Sequence, residues 1–421
     1  MNEQYQEIEA CRICGNSDLE MILDLGNQSL TGVFPTSVDE AVTSGPLQLV
    51  KCVSGGANEL CGLVQLRQSY SIDEMYGDNY GYRSGLNTAM VDHLKSIVGG
   101  ILDRITIEPQ DLIIDIGSND GTLLSFYPSD TATLVGIDPT AQKFRDYYPD
   151  HVRVMPEFFS SEVVKTQFGG RRAKAVTSIS MFYDLENPLE FMRNVHEILA
   201  DDGIWILEQS YLPTMLEMNA YDTVCHEHLE YYALRQIKWM ADRVGLKVVD
   251  VGLNTVNGGS FVVTLAKTAS NHEENTRLVE EFLGRERALG LETLVPYRQF
   301  GQRVEDHRNE LRSLVQRIRS SGQTIIGLGA STKGNVVLQY CGLTREDIPL
   351  IAEVNQDKFG RLTPGTHIPI VPEDEARAQQ PDYFMVLPWH FKDHFVSKES
   401  QYLESGGKLL FPLPSIEVVS K

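Results

Sequence analysis

The sequence predicts an α/β protein with two Rossmann-like domains and a small metal-binding module at its N-terminal end. Three observations predict it. Four of the six cysteines (Cys11, Cys14, Cys52 and Cys61) crowd into the first 61 residues. From Leu94 to about Leu253, short apolar runs (DLIIDIG, TLVGID, AKAVTSIS, GIWILEQ) alternate with amphipathic segments, the βαβ pattern of a mainly parallel sheet. After Gly322 a second strand–glycine loop–helix unit opens with TIIGLGASTKGNVVLQY and continues through PLIAEV, DYFMVLP and KLLFPLP. The expected boundaries are 1–70 for the module, 71–253 for the first α/β domain, 254–321 for a linker and brace of long charged helices, and 322–421 for the second α/β domain.

A chain of 421 residues has material for two to three cores. Its 42% hydrophobic and 23% charged residues are ordinary for a folded chain. No apolar run approaches the roughly 20 residues of a membrane span, and the start MNEQYQEIEA lacks the basic and apolar regions of a secretory signal. A cytoplasmic protein without membrane partners is expected. The net charge of −21 opposes general binding to nucleic acid, so any anionic ligand must be held by a local basic pocket. A monomer or a weak homo-oligomer is the expected state.

Cys11-Arg-Ile-Cys14 is a CxxC knuckle, and Cys52 and Cys61 complete the four thiolates that structural zinc prefers. The second pair is spaced by eight residues rather than two. With no histidine nearby and no open coordination position, the expected metal is structural and not catalytic.

In Leu112-Ile-Ile-Asp115-Ile-Gly117-Ser-Asn119-Asp120-Gly121, a buried strand ends in a glycine-rich turn leading to an expected helix, TLLSFY. Glycine lets the backbone turn tightly and a ligand approach closely. About twenty residues on, the strand TLVGID ends in Asp138, whose carboxylate can accept both hydroxyls of an adenosine ribose. The glycine spacing is Gly117-x-x-x-Gly121 preceded by Asp115, and not the GxGxxG of a dinucleotide site. An acidic turn suits the ammonium group of a methionyl moiety, so S-adenosylmethionine is the expected cofactor, held by Asp115, Gly117, Asn119, Gly121 and Asp138.

Tyr221-Asp222-Thr-Val-Cys225-His226-Glu227-His228-Leu-Glu-Tyr231-Tyr232 concentrates histidines and acids just beyond the strand GIWILEQ, at the carboxyl edge where open α/β sheets hold ligands. His-Glu-His differs from the H-E-x-x-H helix of zinc proteases, because residues i and i+2 face apart on a helix. Acid–base chemistry is the expected use, set against a solvated loop or a second metal site. Histidine suits proton abstraction near neutral pH, and Glu227 can orient it. In the C-terminal loop GLGASTKGN, backbone N–H groups and Lys333 can hold a diphosphate at a helix N-terminus; the alternative is a Rossmann turn without a ligand.

These motifs together resemble the sugar C-methyltransferases that act on nucleotide-linked 4-keto-6-deoxy sugars. The resemblance covers nearly the whole chain and includes the four cysteines, DIGSNDG, the His-Glu-His stretch, Asn257-Gly-Gly-Ser260, Gly329-Ala-Ser-Thr-Lys333-Gly-Asn335, Pro364-Gly-Thr-His367-Ile-Pro369 and Leu387-Pro-Trp-His390. It implies a methyltransferase domain followed by a C-terminal domain that helps enclose a nucleotide-sugar substrate. It further implies His228 as base with Glu227 beside it, sugar contacts from Tyr76, Tyr80 and Tyr82, and nucleotide-sugar contacts at Lys333, Asn335 and His367. Where the family usually reads Tyr-His-Glu-His this chain has Cys225, and where it carries a histidine after the fourth strand this chain has Ser180-Met-Phe-Tyr183-Asp184.

The expected reaction follows. His228 removes a proton from the carbon beside a ketone, the enolate oxygen receives hydrogen bonds from among Tyr80, Tyr82, Tyr183 and His226, and the carbanion takes the sulfonium methyl. Rival readings are O-methylation, epimerisation or decarboxylation with the same base, an NAD oxidoreductase, and a zinc-ribbon scaffold. The missing GxGxxG opposes the oxidoreductase, and the dense His-Glu-His loop opposes the scaffold.

Overall fold

The structure is a computed structural model and describes residues 5–53, 60–75 and 82–421. The N-terminal module is built from β1 (Tyr5–Glu7), β2 (Leu19–Ser29), β3 (Ser44–Cys52), β4 (Val64–Leu66) and β5 (Gln68–Tyr70). β1 pairs with β5, while β2, β3 and β4 form an antiparallel meander. In β3 the buried Gly45, Leu47 and Leu49 alternate with more accessible neighbours, as expected for a sheet with one covered face.

The central sheet contains β6 (Leu112–Ile116), β7 (Thr133–Ile137), β8 (Arg153–Met155), β9 (Ala173–Ile179), β10 (Leu199–Ser210), β12 (Leu246–Asn254) and β13 (Ser260–Lys267), ordered β12-β13-β10-β9-β6-β7-β8. β6 to β10 run parallel, and β13 lies antiparallel between β10 and β12. Every residue of β6 is buried, which is why that strand reads as one apolar run. Strand order reverses between β6 and β9, so their following loops separate and open a crevice at the carboxyl edge.

Two elements differ from the sequence expectation. β13 falls inside 254–321, so the first part of the expected linker belongs to the central sheet. Only the helices Thr276–Ala288 and Val295–Ser320 form the brace. The expected helix TLLSFY is a single 3₁₀ turn, Leu124–Phe126. Pro128 lies two residues beyond that turn and biases Tyr127 toward the extended conformation it adopts.

A further short strand, β11 (Glu230–Tyr231), follows the His-Glu-His residues. It pairs antiparallel with β4, Glu230 opposite Gln65 and Tyr231 opposite Val64, so the module's sheet runs β11-β4-β3-β2. The C-terminal unit holds β14 (Ile325–Leu328), β15 (Ile351–Glu353), β16 (Ile370–Pro372), β17 (Tyr383–Val386), β18 (Lys408–Phe411) and β19 (Glu417–Val419), in the order β16-β15-β14-β17-β18-β19. All its pairs are parallel except β18 with β19.

The helix Val295–Ser320 buries Tyr297, Phe300, Val304, His307, Leu311, Val315 and Ile318, a stripe at three- and four-residue spacing. At Gly301 an added Cβ would stand 3.1 Å from the Ile22 carbonyl oxygen, so the helix lies close on β2. One continuous apolar core runs from the module through one face of the central sheet into the C-terminal sheet, and a second fills the other face beneath the helix Thr88–Arg104.

Candidate active site and metal centre

The knuckle turns at Gly15, whose φ of 71° favours glycine, and its amide closes the turn on the Cys11 carbonyl at 2.9 Å. Cys52 ends β3 and Cys61 approaches from the other side of the insert, whose residues 54–59 lie outside the described ones. The sulfurs stand 3.5 Å apart for Cys11–Cys61, 3.6 Å for Cys14–Cys52 and 3.3 Å for Cys14–Cys61, and all four lie within 4.8 Å of one another. A tetrahedron with Zn–S of about 2.3 Å puts sulfurs about 3.8 Å apart. Asn16 Nδ2 donates to Cys52 Sγ at 3.4 Å and the Leu63 amide to Cys61 Sγ at 3.4 Å, contacts that suit thiolates. The neighbouring cysteine sulfurs push the Cys61 thiol far up, so four thiolates need a cation among them. The donor set fits a closed structural zinc site.

At the crevice, Asn119 stands at φ 51° and its amide donates to Asp138 Oδ2 at 2.9 Å. Thr140 fills the other oxygen of Asp138, through its amide and its hydroxyl, each at 2.6 Å. Gly121 has φ 75°, and a Cβ there would lie 2.5 Å from the Tyr148 ring. Tyr148 Oη in turn bonds Ser118 Oγ and the Asn119 carbonyl, both at 2.7 Å, and fixes the loop from behind. Burial pushes the Asp115 carboxyl up to about 7, while Thr177 donates to it at 2.5 Å. Asp115, Asp120 and Asp138 are all buried at this edge, an acidic surrounding that fits the ammonium and sulfonium of S-adenosylmethionine and the hydroxyls of its ribose. Residues 82–85 lie across the loop: the Ser84 amide donates to Asn119 Oδ1 and the Gly85 amide to Asp120 Oδ2, both at 3.0 Å, and Asn119 Nδ2 donates to the Tyr82 carbonyl at 3.1 Å. The Tyr82 ring is exposed, and Tyr76 and Tyr80 lie outside the described residues.

His228 donates from Nδ1 to the Thr223 carbonyl at 2.8 Å, which leaves Nε2 as the lone-pair nitrogen. The Tyr183 ring packs on it with centroids 4.2 Å apart, and both side chains line a cavity with Ser210, Thr223 and Glu230. Burial, with the nearby Lys333 ammonium, pushes His228 down to about 3, so the ring is neutral at neutral pH. Glu227 is buried, which raises its carboxyl above the usual range, and it accepts a hydrogen bond from Thr31 Oγ1 at 3.3 Å. His226 turns the other way, edge-on against Tyr70 at 4.7 Å between centroids, in the module's core. It was expected among the donors to an enolate oxygen; His226 and Glu227 form a turn ahead of β11, and the His226 ring is carried to Tyr70 in the module, away from His228.

Lys333 Nζ donates to the Asn257 carbonyl at 2.7 Å, so it ties the helix Thr332–Tyr340 to the turn before β13. Asn335 Nδ2 donates to the Thr31 carbonyl at 2.8 Å and thus faces the module, whereas His367 stands exposed in a turn at φ 53°. The structure therefore sets Tyr183 and Lys333 beside His228, which the Thr223 carbonyl orients, turns the Glu227 carboxyl toward Thr31, and leaves His226 and His367 apart.

Two buried hydrogen-bonded pairings near the crevice were not anticipated from the sequence. Trp389 Nε1 donates to buried Asp222 Oδ2 at 2.7 Å, and His93 Nε2 meets both oxygens of buried Glu208 at 2.8 Å while Asn254 Nδ2 donates to the same carboxylate at 2.9 Å. A glutamate inside the apolar run of β10 was the available signal for the second cluster, because a buried carboxylate needs partners.

Residues 255–414 match the family described as the C-methyltransferase C-terminal domain, residues 92–251 a methyltransferase domain family, and residues 11–76 a zinc binding domain family. The C-methyltransferase NovU of Streptomyces niveus is 32% identical over 425 residues, an alignment that takes in 100% of this chain and 99% of that protein. Among solved structures, the CurJ carbon methyltransferase aligns over 43% of this chain and 54% of its own at 13% identity and a TM-score of 0.33. LepI with S-adenosylhomocysteine and a substrate analogue aligns over 44% and 54% at 16% identity and a TM-score of 0.34. A relative matched from end to end, and three family models that meet the cysteine cluster, the glycine loop and the C-terminal unit in turn, show that the chain belongs to the S-adenosylmethionine-dependent C-methyltransferases.

Proposed function

We propose that this C-methyltransferase adds a methyl group to the carbon beside the ketone of a nucleotide-linked keto-deoxy sugar, with His228 as the base. The observation that carries the reading is the fixed tautomer of His228: with Nδ1–H held by the Thr223 carbonyl, only Nε2 can accept a proton. A proton beside a ketone is far less acidic than imidazolium, so the oxygen must receive a hydrogen bond as the proton leaves. The phenol of Tyr183, packed on the base, is the donor best placed among the described residues. His228 takes the proton, the electron pair of the C–H bond becomes that of the enolate, and its carbon then forms the new C–C bond while the ketone returns. Asp138, Asn119 and the Gly117–Gly121 turn would hold S-adenosylmethionine, which would supply the methyl as an electrophile, its S–CH3 bond breaking to leave S-adenosylhomocysteine.

Lys333 supports a nucleotide-linked substrate. Its ammonium is the nearby charge that holds His228 down, and a diphosphate paired with it would offset that charge and make the base stronger only when substrate is present. On a chain of net charge −21, an anion needs such a local cation. A site of four zinc thiolates suits a reducing cytoplasm, and the net charge of −21 favours a nucleotide sugar over nucleic acid as partner.

The test is incubation with ¹³C-methyl cofactor and a nucleotide-linked 4-keto-6-deoxy sugar in D₂O, followed by NMR. The expected result is a carbon-bound methyl, with deuterium exchange beside the ketone that His228→Ala abolishes. A methyl on oxygen, or exchange that persists in His228→Ala, would overturn the reading.

A further inference from the structure

We infer that the cysteine module is part of the active site: its Thr31, Gly32 and Arg12 are positioning residues that set the carboxylates of Glu227 and Glu230 around the base. The inference rests on His228 as the proposed base and on Glu227 as the neighbour expected from the sequence to orient it.

The segment that carries the base is clamped by the module along its length. Its continuation, β11, is the edge strand of the module's sheet, and the Leu66 amide donates to the Leu229 carbonyl at 2.8 Å. Ahead of it, His226 is buried against Tyr70. Between these anchors, Thr31 Oγ1 donates to Glu227 Oε2, and a Cβ added to Gly32 would stand 2.5 Å from Glu227 Oε1. The carboxylate therefore lies directly on the Gly32 backbone, in a slot that no other residue leaves open. The slot is held from the third side as well. Asn335 Nδ2 donates to the Thr31 carbonyl, and Gln339 exchanges two hydrogen bonds with the Ser29 backbone, at 2.7 and 3.1 Å. Glu227 thus sits where all three units of the chain meet.

The second contact comes from inside the metal knuckle. Arg12 lies between Cys11 and Cys14, and its guanidinium is anchored by the Leu66 carbonyl at 2.6 Å and Ser69 Oγ at 2.9 Å. Its Nε donates to Glu186 Oε2 at 3.3 Å and stands 3.7 Å from Glu230 Oε1, so it is shared between the two carboxylates. Both oxygens of Glu230 are buried without a hydrogen-bond partner, and the side chain lines the same cavity as His228 and Tyr183. A buried carboxylate aimed into the cavity, steadied by one cation, keeps its place only while the knuckle keeps Arg12 in place. The metal then acts on the chemistry through geometry, by fixing the residues that fix the two carboxylates.

The experiment compares Gly32→Ala, Thr31→Val, Thr31→Ser and Glu227→Gln in the full-length zinc-loaded enzyme, with metal content and S-adenosylhomocysteine affinity measured on each. All four are expected to hold one zinc and wild-type cofactor affinity. Thr31→Val is expected to lose about tenfold in kcat with little change in KM, the scale of one hydrogen bond to a charged acceptor, and Gly32→Ala more; Thr31→Ser restores the rate. Deuterium exchange beside the ketone falls in the same proportion. Wild-type kcat and exchange in both Thr31→Val and Gly32→Ala, with Glu227→Gln impaired, would overturn the inference and leave the reading of Glu227 standing. Wild-type kcat in Glu227→Gln would overturn both.

Discussion

The indole of Trp389 donates to Asp222 Oδ2 at 2.7 Å, and this bond joins the C-terminal unit to the turn that leads into Cys225 and His228. Asp222 is buried, its other oxygen has no hydrogen-bond partner, and burial raises its carboxyl above the usual range against the pull of Lys333. Trp389→Phe keeps most of the ring volume but leaves that carboxylate unsatisfied. A loss of about 1–3 kcal/mol in unfolding free energy is expected, the cost of orphaning a buried polar group, read from urea denaturation. Unchanged stability would mean that Asp222 finds water when the indole is removed.

Lys333 adds to burial in lowering His228, the proposed base. Burial is the larger cause of the low His228 value of about 3 and the Lys333 charge adds to it, so Lys333→Gln is expected to raise the value while leaving it below the ordinary 6.5. Histidine-selective NMR titration of both proteins checks this. In the wild type, no acid limb of kcat/KM between pH 5 and 7 is expected from His228, because the ring stays neutral throughout that range. A His228 titration unmoved by Lys333→Gln would show that the ammonium does not act on the base.

His226 makes a separate pH prediction. Its folded value is about 3, driven by burial, against about 6.5 in the unfolded chain. Between those values the unfolded state binds a proton that the folded state does not, so this group's contribution is complete above about pH 6.5 and declines as pH falls. Asp115, raised to about 7 by burial, acts with the opposite sign over part of the same range. The difference between two proteins isolates the histidine. From pH 7 to pH 5 the wild type is expected to lose about 2 kcal/mol more stability than His226→Phe, at about 1.4 kcal/mol per pH unit below 6.5. Equal losses would show that the ring is protonated in the folded state.

How far the chain could be read depended on how local each feature is. The cysteine cluster and the Gly117–Gly121 turn are local, and their spacing carried both cofactors. The strand periodicity likewise exposed two parallel sheets. What stayed hidden depends on partners distant in sequence. β13 was concealed because an antiparallel strand added after a turn leaves no βαβ signature, and its pairing with β10 is set by tertiary packing. That His226 packs on Tyr70 while His228 packs on Tyr183 depends on partners far away in the chain, which no local pattern shows. Arg12 reads as a spacer between two metal ligands until the fold brings Glu230 to it.

The cysteine cluster is expected to support this arrangement through the metal. Cys52→Ser should bind less than one zinc per chain and lose several kcal/mol of stability, since a site that forms only in the folded state contributes its binding free energy to folding. Metal analysis beside thermal unfolding checks both. A metal-free protein of undiminished stability would show that the four sulfurs serve as an ordinary core.

Gly121 offers the sharpest test of the cofactor loop. Its φ of 75° is strained for any side chain, and a Cβ would lie 2.5 Å from the ring of Tyr148. That ring cannot simply withdraw, because its hydroxyl holds Ser118 Oγ and the Asn119 carbonyl on the loop itself. Gly121→Ala must therefore push the turn forward, into the space beside Asp138 where the ribose is proposed to bind. The expected result is at least a tenfold weaker affinity for S-adenosylhomocysteine by calorimetry, on the scale of about 1.4 kcal/mol, with zinc content unchanged because the cysteine cluster lies in another sheet. Wild-type affinity would place the cofactor away from this turn and remove Asp138 and Asn119 from its contacts.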